Sequence, residues 1–306
     1  MEQKKKILVA NRGEIALRII RAIQELGHIA VAIYETPDAD ALHIRVADEA
    51  LHIGDGPRCD YLNISKVVAM AKKAKADAIH PGYGFLAENP EFSKACQEAG
   101  IIFIGPSAEV IQSLGDKVTA RQIMKEAGIP MVPGTPNLAA GDAGIDEALA
   151  FSAKYGYPVM LKATAGGGGR GIRRVENDKQ LRAELPSARA EAKAAFNNDN
   201  VYLEKVVITP KHVEVQIIAD NHGKVVHLGT RDCSIQRRNQ KLVEIAPSLI
   251  PDQKLLDSIC ATAVKAAKAA SYTNAGTVEF LVDKDMNYYF MEINTRLQVE
   301  HTVTEM

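Results

Sequence analysis

The sequence lacks the features that several classes of protein require. Its four cysteines are far apart and form no CxxC pair, which argues against a zinc site or a disulfide framework and for reduced thiols. No run of about 18 apolar residues occurs in it, so no segment is expected to span a membrane. The formal net charge is −1, which gives no electrostatic reason to expect nucleic acid or an anionic membrane as a partner. We therefore expect a cytoplasmic protein that binds neither.

Residues 1–115 alternate short apolar runs with helical patterns. The strand candidates are KILVA (6–10), HIAVAIY (28–34), DAIH (77–80) and IIFIG (101–105). This alternation predicts an α/β unit in which helices cover both faces of a parallel sheet. Ligands of such sheets bind at the carboxyl ends of the strands. Asn11-Arg12-Gly13 and HPGYGF (80–85) would lie there.

The rest of the chain divides into a linking segment and two further units. Residues 116–144 hold a helical stretch and then a segment rich in proline and glycine, which is the clearest candidate hinge. Residues 145–206 predict helix, strand, glycine-rich loop, strand, a helix interrupted at Pro186, and a last strand. Residues 207–306 are β-rich, and HVEVQIIA (212–219) alternates apolar and polar residues as a half-buried strand does.

The glycine run GGGGRG (166–171) is the first candidate site. It formally satisfies G-x-G-x-x-G, but that dinucleotide motif needs a helix directly after the glycines, and residues 171–175 read as a strand. We interpret the run as a hairpin lid whose backbone N–H groups close over nucleotide phosphates. The alternative is an ordinary surface loop, which the entropy cost of consecutive glycines disfavours.

Charged residues flank this lid. Lys117 begins the linking helix and Lys162 ends the strand that enters the loop, and a lysine is a point charge suited to phosphate oxygens. Glu204 and Lys205 close the strand that leaves the lid unit, where ATP-binding folds commonly contact adenine and ribose. Taken singly, each of these residues could also be a solvated surface residue.

The predicted hairpin at 276–294 carries opposed carboxylates. If residues 284–287 form its loop, Asp283 pairs with Tyr288 and Glu279 lies directly opposite Glu292. Asn294 then falls on the same face. Like charges opposed across a ladder are destabilising, and a hard divalent cation such as Mg²⁺ relieves the repulsion through oxygen ligands. The alternative is a solvated strand face with tolerated repulsion.

Two polar segments suggest a second, anionic substrate. In NTRLQVEH (294–301), Arg296 offers a planar fork for an oxyanion, Gln298 a polar contact and Glu300 a potential base. RDCSIQRRNQK (231–241) adds a cationic cluster that ends in Lys241. Beside a metal–nucleotide site, these groups suit an anion that awaits phosphorylation, although a charge run by itself is usually a solvated face.

These motifs resemble those of a known family. The matching segments are NRGEIALRI (11–19), HPGYGFLAEN (80–89), YPVMLKATAGGGGRG (157–171), RDCSIQRRNQK (231–241) and MEINTRLQVEHTVTEM (291–306). They are highly specific, cover the whole chain, and strongly resemble the biotin carboxylases. The resemblance implies an ATP-grasp fold: a Rossmann-like N-terminal domain (1–115), a linking helix and hinge (116–144), a mobile lid domain (145–206) and an incomplete β-rich catalytic domain (207–306).

The resemblance also implies which residues bind each ligand. ATP would be bound by Lys117, Lys162, Gly168, Gly169, Glu204, Lys205, Val207 and His212. Mg²⁺ or Mn²⁺ would be bound by Glu279, Glu292 and Asn294. Bicarbonate would be bound by Lys241, Arg296, Gln298 and Val299, with Glu300 as the base that deprotonates it.

The family's reaction defines the implied substrates and partners. Bicarbonate attacks the γ-phosphate of ATP, the carboxyphosphate decomposes to CO₂ and phosphate, and biotin is carboxylated. The biotin is attached to a biotin carboxyl carrier protein, a carboxyltransferase subunit uses the product, and the full-length subunit is expected to be a homodimer. The final carboxyl acceptor is left open between acetyl-CoA, propionyl-CoA, pyruvate and another 2-oxo acid.

The sequence departs from the family pattern at three places. Asn239 stands where a histidine beside the nucleotide is usual, and Ala165 replaces a glycine at the start of the lid loop. The family also continues past VEHTVTEM (299–306) with more sheet and a further arginine on the biotin side. We therefore expect these residues to bind MgATP but to carboxylate biotin weakly or not at all.

Two other functions remain open at this point. One is a different ATP-grasp ligase that phosphorylates bicarbonate, such as half of a carbamoyl-phosphate synthetase. The other is a non-catalytic nucleotide-binding fragment.

Overall fold

The N-terminal domain is a parallel sheet with helices on both faces, as predicted. The structure, a computed structural model, describes residues 4–56, 59–165, 171–238 and 240–306. The domain's five strands have the order β3-β2-β1-β4-β5 and all pair in parallel. Its elements are β1 (Lys6–Val9), α1 (Gly13–Glu25), β2 (Ile29–Glu35), α2 (Leu42–Val46), β3 (Glu49–Gly54), α3 (Ile64–Ala74), β4 (Ala78–His80), α4 (Pro90–Glu98), β5 (Ile102–Phe103) and α5 (Ala108–Gly115).

One strand of this sheet, β3, was not predicted. It is an edge strand in which three residues are half-buried, two are exposed and only Ile53 is buried. Its sequence EALHIG therefore lacks the continuous apolar run that marks the central strands of a parallel sheet. By contrast, α1 buries Ile15, Ile19 and Ile23 on one stripe, the helical spacing that made it predictable.

The linking segment contacts both the lid unit and the β-rich third unit. Helix α6 (Lys117–Glu126) begins at Asp116, whose side chain accepts a hydrogen bond from the Thr119 backbone N–H. After it, Met131 bridges to Phe290 and Gly134 bridges to Glu204. The proline-rich residues therefore run from the β-rich sheet to the lid sheet.

The second unit is a small antiparallel sheet with two helices. It comprises α7 (Gly141–Tyr155), β6 (Val159–Ala163), β7 (Ile172–Val175), α8 (Asp178–Phe196) and β8 (Val201–Lys205), in the strand order β7-β6-β8. A strand follows the glycine run, as predicted. The predicted interruption at Pro186 is wrong, because α8 is continuous through it. Leu181, Leu185 and Ala192 lie before and after the proline on one buried face, and their packing maintains the helix.

The third unit is an antiparallel sheet of five strands with a long helix against one face. Its elements are β9 (Lys211–Ala219), β10 (Val225–Arg237), β11 (Gln240–Ile245), α9 (Gln253–Ala269), β12 (Asn274–Val282), β13 (Tyr288–Asn294) and α10 (His301–Glu305). The strand order is β11-β10-β9-β12-β13. Apolar residues of β9 and β12 pack with those of α9 in one core.

The prediction that β9 is half-buried is wrong. Val213, Val215 and Ile217 face the core as expected, but Glu214 on the other face has no exposed surface and Gln216 is 4% exposed. A polar face can be buried only when its groups have partners, and those partners form the candidate site. No helix in the part of the chain that the structure describes combines the length and apolarity needed to cross a membrane.

Candidate active site

The hairpin of β12 and β13 opposes the two predicted carboxylates. Glu279 pairs with Glu292, and Thr277 pairs with Asn294, so the predicted pairing is confirmed. The predicted turn is wrong by one residue, because Val282 rather than Asp283 pairs with Tyr288. A register shift between Glu279 and Phe280 cancels the error before the carboxylates are reached.

The two carboxylates have different surroundings. Glu279 interacts with Nε2 of His212 at 2.7 Å and accepts hydrogen bonds from Asn294 Nδ2 at 2.8 Å and Lys241 Nζ at 3.0 Å. Although burial raises the pKa of Glu279, His212 and Lys241 outweigh it, and the net direction is down. Among the described residues, no side chain forms a hydrogen bond or ion pair with the Glu292 carboxylate. Burial and the charge of Glu279 raise the pKa of Glu292.

This donor set fits a hard divalent cation. Glu292 has no hydrogen-bond or ion-pair partner among the described residues, although the charge of Lys117 acts to lower its pKa. Asn294 uses its Nδ2 on Glu279, which leaves its amide oxygen for another ligand. Two carboxylates and an amide oxygen are ligands that Mg²⁺ and Mn²⁺ accept. A second group of potential ligands, His212, Glu214 and Glu279, lies within 4.8 Å. It fits less well, because Arg231 and Lys241 already pair with Glu214.

Arg231 is the residue at the centre of the buried polar face, and sequence reasoning missed it. It has no exposed surface. Its five N–H groups are all donated to oxygens of β9, β12 and the segment after β13. The acceptors are Glu214, Gln216 (2.8 Å), Thr304 (2.9 Å), Thr277 (3.2 Å) and Gln298 (3.1 Å). The available signal was the charged alternation of β9, which we interpreted as solvated.

Lys241 and Glu300 lie together, as the candidate base and its cation should. Lys241 Nζ donates to Glu300 at 2.8 Å, to Glu214 at 2.6 Å and to Glu279 at 3.0 Å. Burial alone would lower the pKa of Lys241, but the charges of Glu279 and Glu214 raise it well above its ordinary value. Lys241 is therefore a permanent cation beside the Glu300 carboxylate.

The segment after β13 places its predicted residues differently. Arg296 Nε donates to Glu88 at 2.9 Å, and Nη1 donates to the Leu297 carbonyl oxygen at 3.2 Å. Gln298 is buried, donates to Glu279 at 3.2 Å and accepts from Arg231. Val299 is 59% exposed. Gln298 is thus part of the buried network, whereas Arg296 and Val299 lie nearer to solvent.

Three of the predicted nucleotide residues, Lys117, Lys162 and Glu204, lie near one another. Burial lowers the pKa of Lys117, while Glu292 raises it and Lys162 lowers it, so Lys117 lies between the carboxylate pair and the lid sheet. Lys162 forms an ion pair with Glu204. Arg121, which was not predicted, donates to the same carboxylate at 2.5 Å.

Other predicted nucleotide residues do not converge in this way. Lys205 Nζ donates to the carbonyl oxygens of Gly156 at 3.0 Å and Tyr157 at 2.9 Å, so it ties β8 to the start of β6. Val207 is half-buried in the segment between β8 and β9, and His212 contacts Glu279. Gly168, Gly169 and Asn239 lie outside the described residues.

Comparison with known proteins gives consistent matches. Residues 3–111 match the family model "Biotin carboxylase, N-terminal domain", and residues 116–306 match "Carbamoyl-phosphate synthase L chain, ATP binding domain". Biotin carboxylase 1 of Bacillus subtilis is 52% identical over 99% of this chain and 67% of its own length. The 2-oxoglutarate carboxylase small subunit of Hydrogenobacter thermophilus is 52% identical over 99% of this chain and 63% of its own length.

Solved structures agree with these matches. A Campylobacter jejuni biotin carboxylase complex is 50% identical with a TM-score of 0.93, covering 99% of this chain and 68% of that one. The biotin carboxylase domain dimer of Hydrogenobacter thermophilus 2-oxoglutarate carboxylase, in complex with MgADP, ADP and bicarbonate, is 51% identical with a TM-score of 0.91. It covers 100% of this chain and 67% of that one. The chain thus spans about two thirds of the length of these proteins. It belongs to the biotin carboxylase family and has that family's ATP-grasp fold.

Proposed function

We propose that this protein carboxylates biotin with ATP and bicarbonate, the first half-reaction of a biotin-dependent carboxylase. The observation that carries the proposal is the Glu300–Lys241 pair at 2.8 Å, in which Lys241 also donates to Glu279, the residue opposite Glu292. This pair would supply a base and a cation beside the proposed divalent-cation site. The family membership and the names of the relatives support the same function.

The residues would divide the work as follows. Glu300 takes the proton of bicarbonate while Lys241 and Arg296 stabilise the anion. The bicarbonate oxygen forms a bond to the γ-phosphorus of ATP, the bond from that phosphorus to the β-bridging oxygen breaks, and ADP leaves with its electron pair. Glu279, Glu292 and Asn294 would hold Mg²⁺ or Mn²⁺, which would supply charge neutralisation for the phosphates.

The second step requires a water-free site. Carboxyphosphate breaks its C–O bond to give CO₂ and phosphate, the phosphate takes the proton of the biotin ureido nitrogen, and that nitrogen attacks CO₂. Closure of the lid unit over the cleft would exclude water from this intermediate. Lys162 and Glu204 belong to that unit and would bind the nucleotide on its side.

The partners follow from the same proposal. Biotin would be presented on a biotin carboxyl carrier protein, and a carboxyltransferase subunit would use the product in the cytoplasm. A homodimer is the proposed assembly, since a related biotin carboxylase domain is described as a dimer.

ATP cleavage measured with and without bicarbonate and biotin tests the proposal. We expect cleavage to require bicarbonate and to increase when biotin is added, by a small amount because weak carboxylation is expected from the sequence. Glu300→Gln should reduce bicarbonate-dependent cleavage by about 10²-fold or more. MgATP should still raise its melting temperature. Glu25→Gln, at an exposed position at the end of α1, is the matched control and should retain wild-type rates.

The same assay separates the other candidate functions. Bicarbonate-dependent ATP cleavage whose rate does not change with biotin would favour a carbamoyl-phosphate synthetase-like ligase. The match of residues 116–306 to a carbamoyl-phosphate synthase family model is the observation in favour of this alternative. A melting-temperature shift with MgATP and no cleavage would indicate a nucleotide-binding fragment. At 100 times Kd, binding contributes about 2.7 kcal/mol, so a nucleotide site is detectable even when turnover is weak.

A further inference from the structure

A carboxylate of the N-terminal domain contacts the candidate bicarbonate-binding arginine. Glu88 Oε2 accepts a hydrogen bond from Arg296 Nε at 2.9 Å, across 208 positions of sequence. The two side chains are 46% and 22% exposed. Glu88 belongs to HPGYGFLAEN (80–89), a motif to which the proposed reaction assigns no role.

The contact uses only one edge of the guanidinium. Glu88 takes the Nε hydrogen, and the Leu297 carbonyl oxygen takes one Nη1 hydrogen. Among the described residues, Nη2 of Arg296 has no hydrogen-bond partner. An arginine has five N–H donors in a planar fork, so the edge formed by Nη1 and Nη2 remains able to bind an oxyanion in bidentate fashion.

The loop that carries Glu88 is fixed at both ends. Asn11, at the end of β1, donates from Nδ2 to the carbonyl oxygens of Pro81 and Tyr83, each at 2.8 Å. A Cβ at Gly82 would lie 2.9 Å from that nitrogen, so the close approach requires glycine. Asn89 then caps α4 by accepting from the Phe92 N–H at 3.1 Å. Glu88 therefore reaches Arg296 from a rigid support.

Without Glu88, the guanidinium would have space to turn away. A cavity of about 50 Å³ lies beside it, lined by His80, Gly82, Ala87, Thr295, Arg296 and Leu297. A side chain with a free rotamer and adjacent space loses entropy when a ligand fixes it. A guanidinium that is already fixed avoids that loss.

We propose that Glu88 is a positioning residue that orients Arg296 so that its Nη edge faces bicarbonate. The proposal rests on the proposed function of Arg296. The opposite reading is that Glu88 competes with the anion for the arginine. The geometry disfavours competition, because Glu88 and an anion would occupy different edges of the fork.

Steady-state kinetics on three variants tests this assignment. Glu88→Ala should raise the KM for bicarbonate about fivefold, the ratio that corresponds to about 1 kcal/mol. The kcat and the KM for MgATP should stay within about twofold of wild type, a change too small to indicate lost machinery. Glu88→Gln should restore the KM, since its amide oxygen still accepts from Nε. Glu91→Ala, an exposed acid in the first turn of α4, is the matched control.

A binding measurement keeps the test independent of turnover. The Kd for bicarbonate is read from ¹³C-bicarbonate titrations in the presence of MgADP, and the same order of variants is expected. Wild-type affinity in Glu88→Ala, or tighter binding in both Glu88 variants, overturns the positioning role. If the wild type binds bicarbonate but shows no bicarbonate-dependent ATP cleavage, the proposed function is refuted. The role of Glu88 is then decided by the bicarbonate Kd values of the variants alone.

Discussion

Single residues decide whether the polar face of the third unit can be buried. Arg231 has no exposed surface, and an unpaired buried charge would be very costly. Its acceptors come from β9, β12, Gln298 and Thr304. These contacts could not be predicted from the sequence, because the residues that form them are up to 73 positions apart. Local patterns therefore predicted Glu300 as a base and Lys241 as a cation of the site, but they could not predict that Arg231 would be buried beneath them.

Glu244 is a buried carboxylate that this network leaves without a partner. Neither of its oxygens has a close hydrogen-bond partner among the described residues. The thiol of Cys233, which clusters with Glu244 and Glu214 within 4.8 Å, acts to lower the pKa of Glu244 but does not outweigh burial. Burial, with a further contribution from Glu214, raises its pKa above the ordinary 4.5. The folded protein therefore binds this proton more tightly than the unfolded chain, and stability should fall as pH rises from 4.5 through the raised pKa.

Glu244→Gln should remove this pH dependence. We expect the variant to match wild type at pH 4.5 and to become more stable as pH rises. The gain should be about 1 kcal/mol above the folded-state pKa, a figure reduced for solvent screening. Melting temperatures of both proteins across this range measure the difference. Glu25→Gln, at an exposed position at the end of α1, should give no pH-dependent gain. A constant difference at all pH values would contradict the prediction.

At the scale of elements, the hairpin shows why the predicted pairing was right although the predicted register was not. Residues 283–287 form the loop, and Asp283 accepts hydrogen bonds from the N–H groups of Asp285 and Asn287, each at 2.9 Å. This side-chain turn favours a longer loop than the one we predicted. The irregularity between Glu279 and Phe280 adds a residue on β13. Period-2 patterns predict which face a residue occupies, but bulges leave little trace in them.

Glu292 should lower the stability of the metal-free protein, because it lies opposite Glu279, and should contribute to the binding of the metal and MgATP. Glu292→Gln removes the like-charge repulsion, so the metal-free protein should gain up to about 1 kcal/mol. The increase in melting temperature caused by MgATP should fall to less than about half, because a carboxylate ligand is lost. Asp285→Asn, in the exposed loop of the same hairpin, is the control and should keep the MgATP shift. An unchanged shift in Glu292→Gln would exclude this carboxylate from the metal site.

In helix α8, the packing of buried residues maintains the helix through Pro186, a residue that usually interrupts helices. Proline inside a helix removes one hydrogen bond and clashes with the preceding turn, yet α8 continues through Pro186 because residues on both sides of it are buried against the lid sheet. Pro186 is itself exposed. Pro186→Ala should therefore stabilise the lid unit by about 1–2 kcal/mol, less than the full propensity difference because proline also restricts the unfolded chain.

Hydrogen exchange measures the effect of Pro186→Ala locally. Amides of α8 should exchange more slowly in the variant, whereas amides of α9 in the third unit should not change. Ser187→Ala, at the neighbouring exposed position, controls for a general gain in helix propensity. Faster exchange in Pro186→Ala would show that the proline contributes to the packing of the unit.

At the scale of the whole molecule, the separate units could be predicted but their docking could not. The alternation of strands and helices fixed the parallel sheet, and the polar alternation marked the antiparallel one. The contacts between them include the pair of Arg18 with Glu305 at 3.2 Å and the pair of Arg296 with Glu88. Leu297 packs against the core of the N-terminal domain, and Val110 and Leu114 of α5 lie in the core of the third unit. Such contacts have no periodicity, and they place Arg296 where two units meet.

Leu297 is one apolar part of that docking, so its loss should affect both stability and the site. Leu297 is only partly buried against the cluster that includes Ile15 and Ile19. Leu297→Ala should therefore cost about 1–2 kcal/mol, below the range for a fully buried leucine. Its neighbour Arg296 should lose orientation, so the KM for bicarbonate should rise while the KM for MgATP is kept. Calorimetry should show the N-terminal domain unfolding less cooperatively with the rest of the protein.

Leu26→Ala, at a position that is 74% exposed, is the control. A variant that behaves like this control would show that the two units dock, and that Arg296 stays oriented, without Leu297.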